Sequence, residues 1–191
     1  MENSSDSVID PRSLPRTPAG MRQAWTTLED NWSATTVRAT ALEEVALHER
    51  VDDEWSFVET LRHLIFVTDA WVRRTILGAA APYHSLGLPP DHRIGAPDPD
   101  FDVSAWGIDI FATASLREVL AVREERAGQV RDYVDALDGA DLSRVCPQHP
   151  RPGFPPSTRV PLQVALDVVI SEEWAHHRFA TRDLITLESA R

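Results

Sequence analysis

The sequence predicts an all-α protein built as a four-helix bundle. Four segments, at about residues 17–48, 55–77, 113–137 and 161–187, carry apolar side chains at the spacing of a helix face. No run of useful length alternates apolar and polar residues as a strand does. Both irregular connections that flank the third helix are too long for tight antiparallel turns. We therefore expect a crossover connection, with a simple up-down order as the alternative.

The first helix is predicted from its start signal and from a regular apolar stripe. Thr17 and Pro18 are typical of an N-cap and a first helical position. Residues 1–16 before them are expected to form a flexible N-terminal arm, and residues 17–191 a single domain. The helix is expected to fade near residues 48–51. The stripe comprises Met21, Trp25, Leu28, Trp32, Thr35, Ala39, Leu42 and Ala46.

The second helix, from about Trp55 to Leu77, is apolar on nearly all sides, which is typical of a helix buried from several directions. Gly78 supplies its stop signal. The segment 79–112 that follows is rich in Pro and Gly and is longer than ordinary loops in compact domains. We expect an irregular insertion between helices 2 and 3 that docks as a cover through its apolar side chains.

Helices 3 and 4 carry charged or titratable side chains on the stripes that are predicted to face the core. The third helix has Arg123 on its stripe, and the fourth has Glu173 and His177 one turn apart. A buried carboxylate is costly unless it is paired with a cation or bound to a metal. These residues therefore indicate either a buried ion-pair network or a metal site.

A metal site would need a third ligand from a neighbouring helix, and His63 is the candidate. The predicted ligand set is His63, Glu173 and His177. Two histidines and one carboxylate form open catalytic zinc sites and the triad of non-haem iron enzymes. Glu172 and His176 lie off the core-facing stripe of the fourth helix, so the predicted set does not include them. Periodicity alone does not force His63 inward.

The motifs around these residues resemble those of a known family. Trp55-Ser56-x-x-Glu59-x-x-x-His63-Leu64, followed later by Glu173-x-x-His176-His177-Arg178, is similar to the DinB-like helical bundle superfamily. That superfamily includes the metal-binding domain of mycothiol-dependent maleylpyruvate isomerase and the bacillithiol transferases. The resemblance covers about residues 20–187, and it departs from the family pattern at Phe179 and Ala180.

The resemblance implies a divalent metal, zinc first with nickel or iron as alternatives. It also implies an open coordination position and thiol-dependent transfer or isomerisation. Glu59, one turn before His63, is a candidate to orient that imidazole. Arg123 is a candidate to bind a substrate carboxylate, or to pair with Glu59 or Glu173. His176, about 100° round the helix from His177, is a candidate rim residue or general base.

Two classes of function remain open. The first is a metal-dependent S-transferase or isomerase that uses a low-molecular-weight thiol on a small electrophilic molecule. The second is a non-catalytic bundle for binding or dimerisation, in which the metal is structural or absent. In that case Glu173, His177 and Arg123 would form a buried ion-pair network.

Charge and composition argue against several other partners. A formal net charge of -11 disfavours nucleic acid and anionic membranes. No apolar run approaches the roughly 20 residues needed to span a bilayer, and the N-terminus lacks the apolar region of a signal peptide. A single cysteine, Cys146, excludes a multi-cysteine metal site. We expect a cytoplasmic protein with a small-molecule substrate, and consider a homodimer as one arrangement.

Overall fold

The computed structural model describes residues 10–14, 16–90, 101–156 and 159–190. Within these residues it contains four α-helices and no strand, so the predicted all-α fold class is confirmed. An isolated bridge joins Val145 to Pro161. The helices are α1 (Pro18–Ala39), α2 (Phe57–Thr68), α3 (Leu116–Asp135) and α4 (Leu162–Ser189).

α1 and α2 lie across the bundle from each other, and so do α3 and α4, whereas α2 and α3 are neighbours. α1 packs against α3 and α4, and α2 packs against the same two helices. The order round the bundle is therefore α1, α3, α2, α4. The connections from α1 to α2 and from α3 to α4 cross the bundle rather than turn between neighbours. No helix in the described ranges is both long and apolar enough to cross a membrane.

The first helix is shorter than predicted, and the second changes helix type within its predicted length. α1 buries its stripe as far as Ala39 and ends there, and the chain then forms a 3-10 helix at Glu44–His48. Leu42 and Leu47 remain buried after the helix has ended, so the apolar period outlasts the helical backbone. α2 runs directly into a π-helix, Asp69–Ile76. π-helical turns occur frequently at functional sites.

Asp69, at the start of this π-helix, joins three parts of the fold. Its fully buried carboxylate accepts a hydrogen bond of 2.6 Å from Arg126 Nε on α3 and one of 2.7 Å from the His84 amide. Burial raises the pKa of Asp69 to about 6, against the lowering effect of these partners. Asp69 therefore fixes α3 and the segment after α2 to the π-helix.

The segment between the π-helix and α3 is held against α2 by a buried guanidinium. Arg62 donates to three main-chain carbonyls of this segment, at 2.8–3.0 Å, on both sides of the residues that the structure leaves undescribed. Both described ends of the segment are thus docked on the bundle. The acceptors are Leu86, Asp109 and Ala112.

Only part of the predicted N-terminal arm lies in the described structure. Residues 1–9 and 15 are outside the described part of the chain. Pro11–Ser13 form a 3-10 helix that contacts α1 and α4. Arg16 forms an ion pair of 2.7 Å with Asp167 on α4. These contacts hold the described part of the arm on the bundle.

Candidate metal centre

Three side chains that can ligate a metal meet between α2 and α4. His63 Nε2 lies 3.4 Å from Glu172 Oε2, and His176 Nε2 lies 3.2 Å from the same oxygen. One ligand atom from each residue lies within 4.8 Å of those of the other two. The His63 side chain is buried, whereas that of Glu172 is 39% exposed. The cluster therefore lies at the edge of the bundle and is open on one side.

The helical backbone positions each of the three side chains. Glu172 and His176 are four residues apart on α4, so one turn places them on the same face. His63 lies in the second turn of α2, whose start is fixed by the Ser56 cap. The Leu88 carbonyl oxygen lies 3.0 Å from His63 Nδ1. A carbonyl can only accept a hydrogen bond, so Nδ1 carries a proton and His63 is held with Nε2 toward the cluster.

The donor set fits a divalent metal. Two imidazole nitrogens and one carboxylate oxygen form open zinc sites, in which a fourth position is left for water or substrate. Neighbouring donors on a tetrahedral zinc ion lie about 3.3 Å apart when the metal–ligand bonds are about 2.0 Å. The separations of 3.2 and 3.4 Å between the imidazole nitrogens and the Glu172 oxygen match this spacing.

The electrostatics of the cluster also favour a cation. Hydrogen bonds from His176, and next from His63, lower the pKa of Glu172 to about 2 against the effect of burial. Glu172 is therefore a carboxylate at neutral pH. The space between the Glu172 oxygen and the two Nε2 atoms can hold either shared protons or one metal ion that replaces those protons.

Aromatic side chains surround the cluster and form a cleft beside it. The Trp55 ring lies 4.6 Å from the His63 ring and 5.9 Å from the His176 ring, measured between centroids. The cleft has a volume of about 380 Å³, and the cluster contributes its polar atoms. Its apolar walls include Trp55, Phe66, Val67, Trp71, Phe154 and Val168.

The structure places Glu173 and His177 away from this cluster. Glu173 is fully buried and accepts two hydrogen bonds from the Arg123 guanidinium, at 2.7 and 2.8 Å. His177 Nε2 lies 2.8 Å from Thr35 Oγ1 on α1, and its ring meets the edge of Trp32. Burial lowers the pKa of His177, which favours the neutral imidazole. Both residues therefore join α4 to other helices in the core.

The structure thus differs from the predicted ligand set at both positions on α4, each by one residue along the chain. The structure brings His63 together with Glu172 and His176, and not with Glu173 and His177. The apolar stripe of α4 marks the side chains that point toward the bundle axis. The cluster instead lies about 100° round the helix, at the contact with α2. His176, expected at the rim, is one of the three candidate ligands.

Arg123 does not line the metal cleft. Both of its terminal nitrogens donate to Glu173, and its guanidinium lies 5.8 Å from the centre of the Trp32 ring. It borders a separate cavity of about 600 Å³ between α1 and α3. The geometry therefore matches the predicted pairing with a core carboxylate and gives no support to substrate binding at the metal cleft.

Glu59 caps α2. Its carboxylate accepts a hydrogen bond of 2.8 Å from the Ser56 amide, while Ser56 Oγ accepts one of 3.2 Å from the Glu59 amide. Arg50 also donates to this carboxylate, at 2.7 and 3.0 Å. The sequence Ser-x-x-Glu at the start of a helix is the signal for such a capping box. His63 Nδ1 is bonded to Leu88, so a role for Glu59 in orienting His63 is not supported by these contacts.

We expect Glu59→Ala to lower the free energy of unfolding by about 1 kcal/mol, because it removes half of a capping box. The affinity for zinc should not change. Urea denaturation and zinc titration measure the two quantities. Glu118→Ala is the matched control, since Glu118 forms the same capping box with Ser115 on α3. A tenfold loss of zinc affinity confined to Glu59→Ala would instead support the orienting role.

The model of a family described as the DinB superfamily matches residues 27–180, a range that includes all three residues of the cluster. No curated protein and no solved structure matches the chain.

Proposed function

Because this chain belongs to the DinB superfamily, we propose that it is a divalent-metal-dependent enzyme. Its reaction is the transfer of a low-molecular-weight thiol to a small electrophilic molecule, or a thiol-dependent isomerisation. The observation that carries the proposal is the cluster of His63, Glu172 and His176 at an open cleft. Zinc suits this ligand set best, with nickel or iron as alternatives.

The three residues have distinct tasks in holding the metal. A divalent ion bound there would act as a Lewis acid that lowers the pKa of a thiol or water at the open position. Glu172 supplies the negative charge that retains the cation. His63 is oriented by the Leu88 carbonyl, so little conformational freedom is lost when it binds. Trp55 shields both imidazoles on one side.

Metal analysis of the wild-type protein, purified without a chelator, tests the metal. We expect about one divalent ion per chain, since one three-ligand cluster is present in the described residues. Removal of the ion with a chelator should abolish any thiol consumption, and added zinc should restore it. A wild-type protein that neither retains nor takes up a divalent ion contradicts the proposal.

Thiol consumption separates an enzyme from a metal-holding scaffold. The metal-loaded protein is incubated with small thiols and a panel of alkyl, acyl and epoxide electrophiles, and the loss of free thiol is followed. A transferase predicts thiol consumption that depends on both protein and metal, whereas an isomerase returns the thiol and is detected by thiol-dependent conversion of the electrophile. Full metal occupancy with neither consumption nor conversion across the panel would favour the non-catalytic bundle with a structural metal.

A further inference from the structure

Among the described residues, the titratable side chains that line the metal cleft all lie at its metal end. Apart from His63, Glu172 and His176, each described residue that lines the cleft is an aromatic, an aliphatic or a proline. No Lys or Arg among the described residues lines it. Away from the metal end, a ligand carboxylate or phosphate in this cleft would lose its hydration without gaining a cation from the described residues, which is costly. The lining therefore favours a ligand whose body is uncharged.

The walls are flat aromatic rings that lie against one another. The Phe154 ring is stacked on the Phe66 ring, with centroids 5.8 Å apart. It is nearly perpendicular to the Trp71 ring, with centroids 6.3 Å apart. Aromatic pairs of this kind favour a further ring over a branched chain, because rings bury large flat surfaces in offset or edge contacts. A cleft of about 380 Å³ is large enough for one substituted ring.

Phe154 comes from the connection before α4, and its main chain is held by a clamp. Tyr83 Oη donates to the Phe154 carbonyl at 2.6 Å and accepts from the Phe154 amide at 2.9 Å. Buried Arg74 donates to the carbonyl of Arg151 at 2.8 Å. These bonds fix the loop on both sides of Gly153 and place the Phe154 ring in the cleft.

The clamp also explains why a glycine precedes Phe154. A Cβ atom on Gly153 would lie 2.9 Å from Tyr83 Oη and 3.0 Å from Arg74 Cζ, closer than side chains normally approach. The clamp acts on main-chain atoms of residue 154, so replacing the Phe154 side chain should leave the loop in place. Phe154 can therefore be tested without moving the wall that carries it.

We propose that the substrate that occupies the metal cleft is aromatic and uncharged, and that Phe154 determines this specificity. The ring of the substrate lies against Phe154 and Trp71, and one sulfur or oxygen atom reaches the metal end of the cleft. This inference rests on the proposed function, because it assumes that a metal is held by the three ligands.

The test uses protein loaded with cobalt(II), whose absorption spectrum changes when a thiolate binds. The probes are benzyl mercaptan, its para-carboxylate analogue and 2-mercaptoethanol. We expect wild-type protein to bind benzyl mercaptan at least about tenfold more tightly than either of the others, a difference of about 1.4 kcal/mol. Phe154→Ala should remove most of this preference while cobalt affinity and 2-mercaptoethanol affinity stay unchanged.

Two further variants make the result specific to this ring. Phe154→Leu keeps an apolar side chain and should lose only part of the preference. Phe111→Ala removes a phenylalanine that is 86% exposed and should bind all three thiols as wild type does. Equal affinities for the three thiols in cobalt-loaded wild type, or an unchanged preference in Phe154→Ala, would overturn the inference alone. Failure of wild type to hold cobalt would overturn the proposed function as well.

Discussion

Glu172→Gln is expected to lower the affinity for zinc by more than about a hundredfold and to reduce metal-dependent thiol consumption to background. Loss of a partner that merely orients a ligand typically costs 10–100-fold in metal affinity, so loss of a direct ligand should cost more. Glu172 is also the one anionic member of the cluster. Competition with a chromophoric chelator measures the affinity in wild type and variant.

The same substitution should have little effect on the fold. The Glu172 carboxylate is 39% exposed, and its partners among the described residues are the two histidines. Ion pairs of a partly exposed carboxylate contribute about 1 kcal/mol or less to stability. The metal-free variant should therefore unfold at nearly the same denaturant concentration as metal-free wild type. Zinc affinity at the wild-type level in Glu172→Gln would rule out this residue as a ligand.

The bundle could be predicted because burial in a helix is a local, periodic property. Met21, Trp25 and Leu28 follow one another at helical spacing, and the structure buries all three. The end of α1 was predicted too late for the same reason. Leu42 continues the apolar period and is buried, although the chain has already left the helix at Ala39. Side-chain burial thus predicts position in the core better than it predicts helix boundaries.

The candidate site could be predicted only to within one residue on α4. The sequence contains two overlapping pairs with the same spacing, Glu172 with His176 and Glu173 with His177. Apolar periodicity selects the second pair, because those residues lie on the stripe that faces the core. An open metal site needs ligands that are partly accessible, so the less buried pair is the better candidate. The choice depends on where His63 points, which is a tertiary contact.

The walls of the cleft could not be predicted from sequence periodicity. Leu88 and Phe154 come from irregular segments on either side of α3 in the chain, and both meet at α2. Their contribution depends on Tyr83 and Arg74, which bind main-chain atoms. Because these contacts involve main-chain atoms, the pattern of residue types does not predict them. The glycine at position 153 is the one local signal, and its meaning requires the neighbouring side chains.

Glu173→Gln is expected to lower stability and to leave zinc affinity nearly unchanged. This is the reverse of the result expected for Glu172→Gln, although the two residues are adjacent. The Glu173 and Arg123 side chains are 1% and 10% exposed and form two charge-assisted hydrogen bonds. Removal of one partner leaves a buried charge uncompensated, which typically costs about 3–5 kcal/mol. Guanidinium denaturation should show this loss, while zinc affinity in the folded variant stays within about twofold of wild type.

A double variant determines whether the loss arises from the unpaired guanidinium. Replacing a buried ion pair by apolar side chains of similar size is often neutral or stabilising. Arg123→Met combined with Glu173→Leu should therefore recover most of the stability that Glu173→Gln loses. If Glu173→Gln instead keeps its stability and loses zinc, Glu173 is a metal ligand and the sequence-based set is restored. Substitution of the two adjacent glutamates thus distinguishes the residue of α4 that stabilises the core from the one that binds the metal.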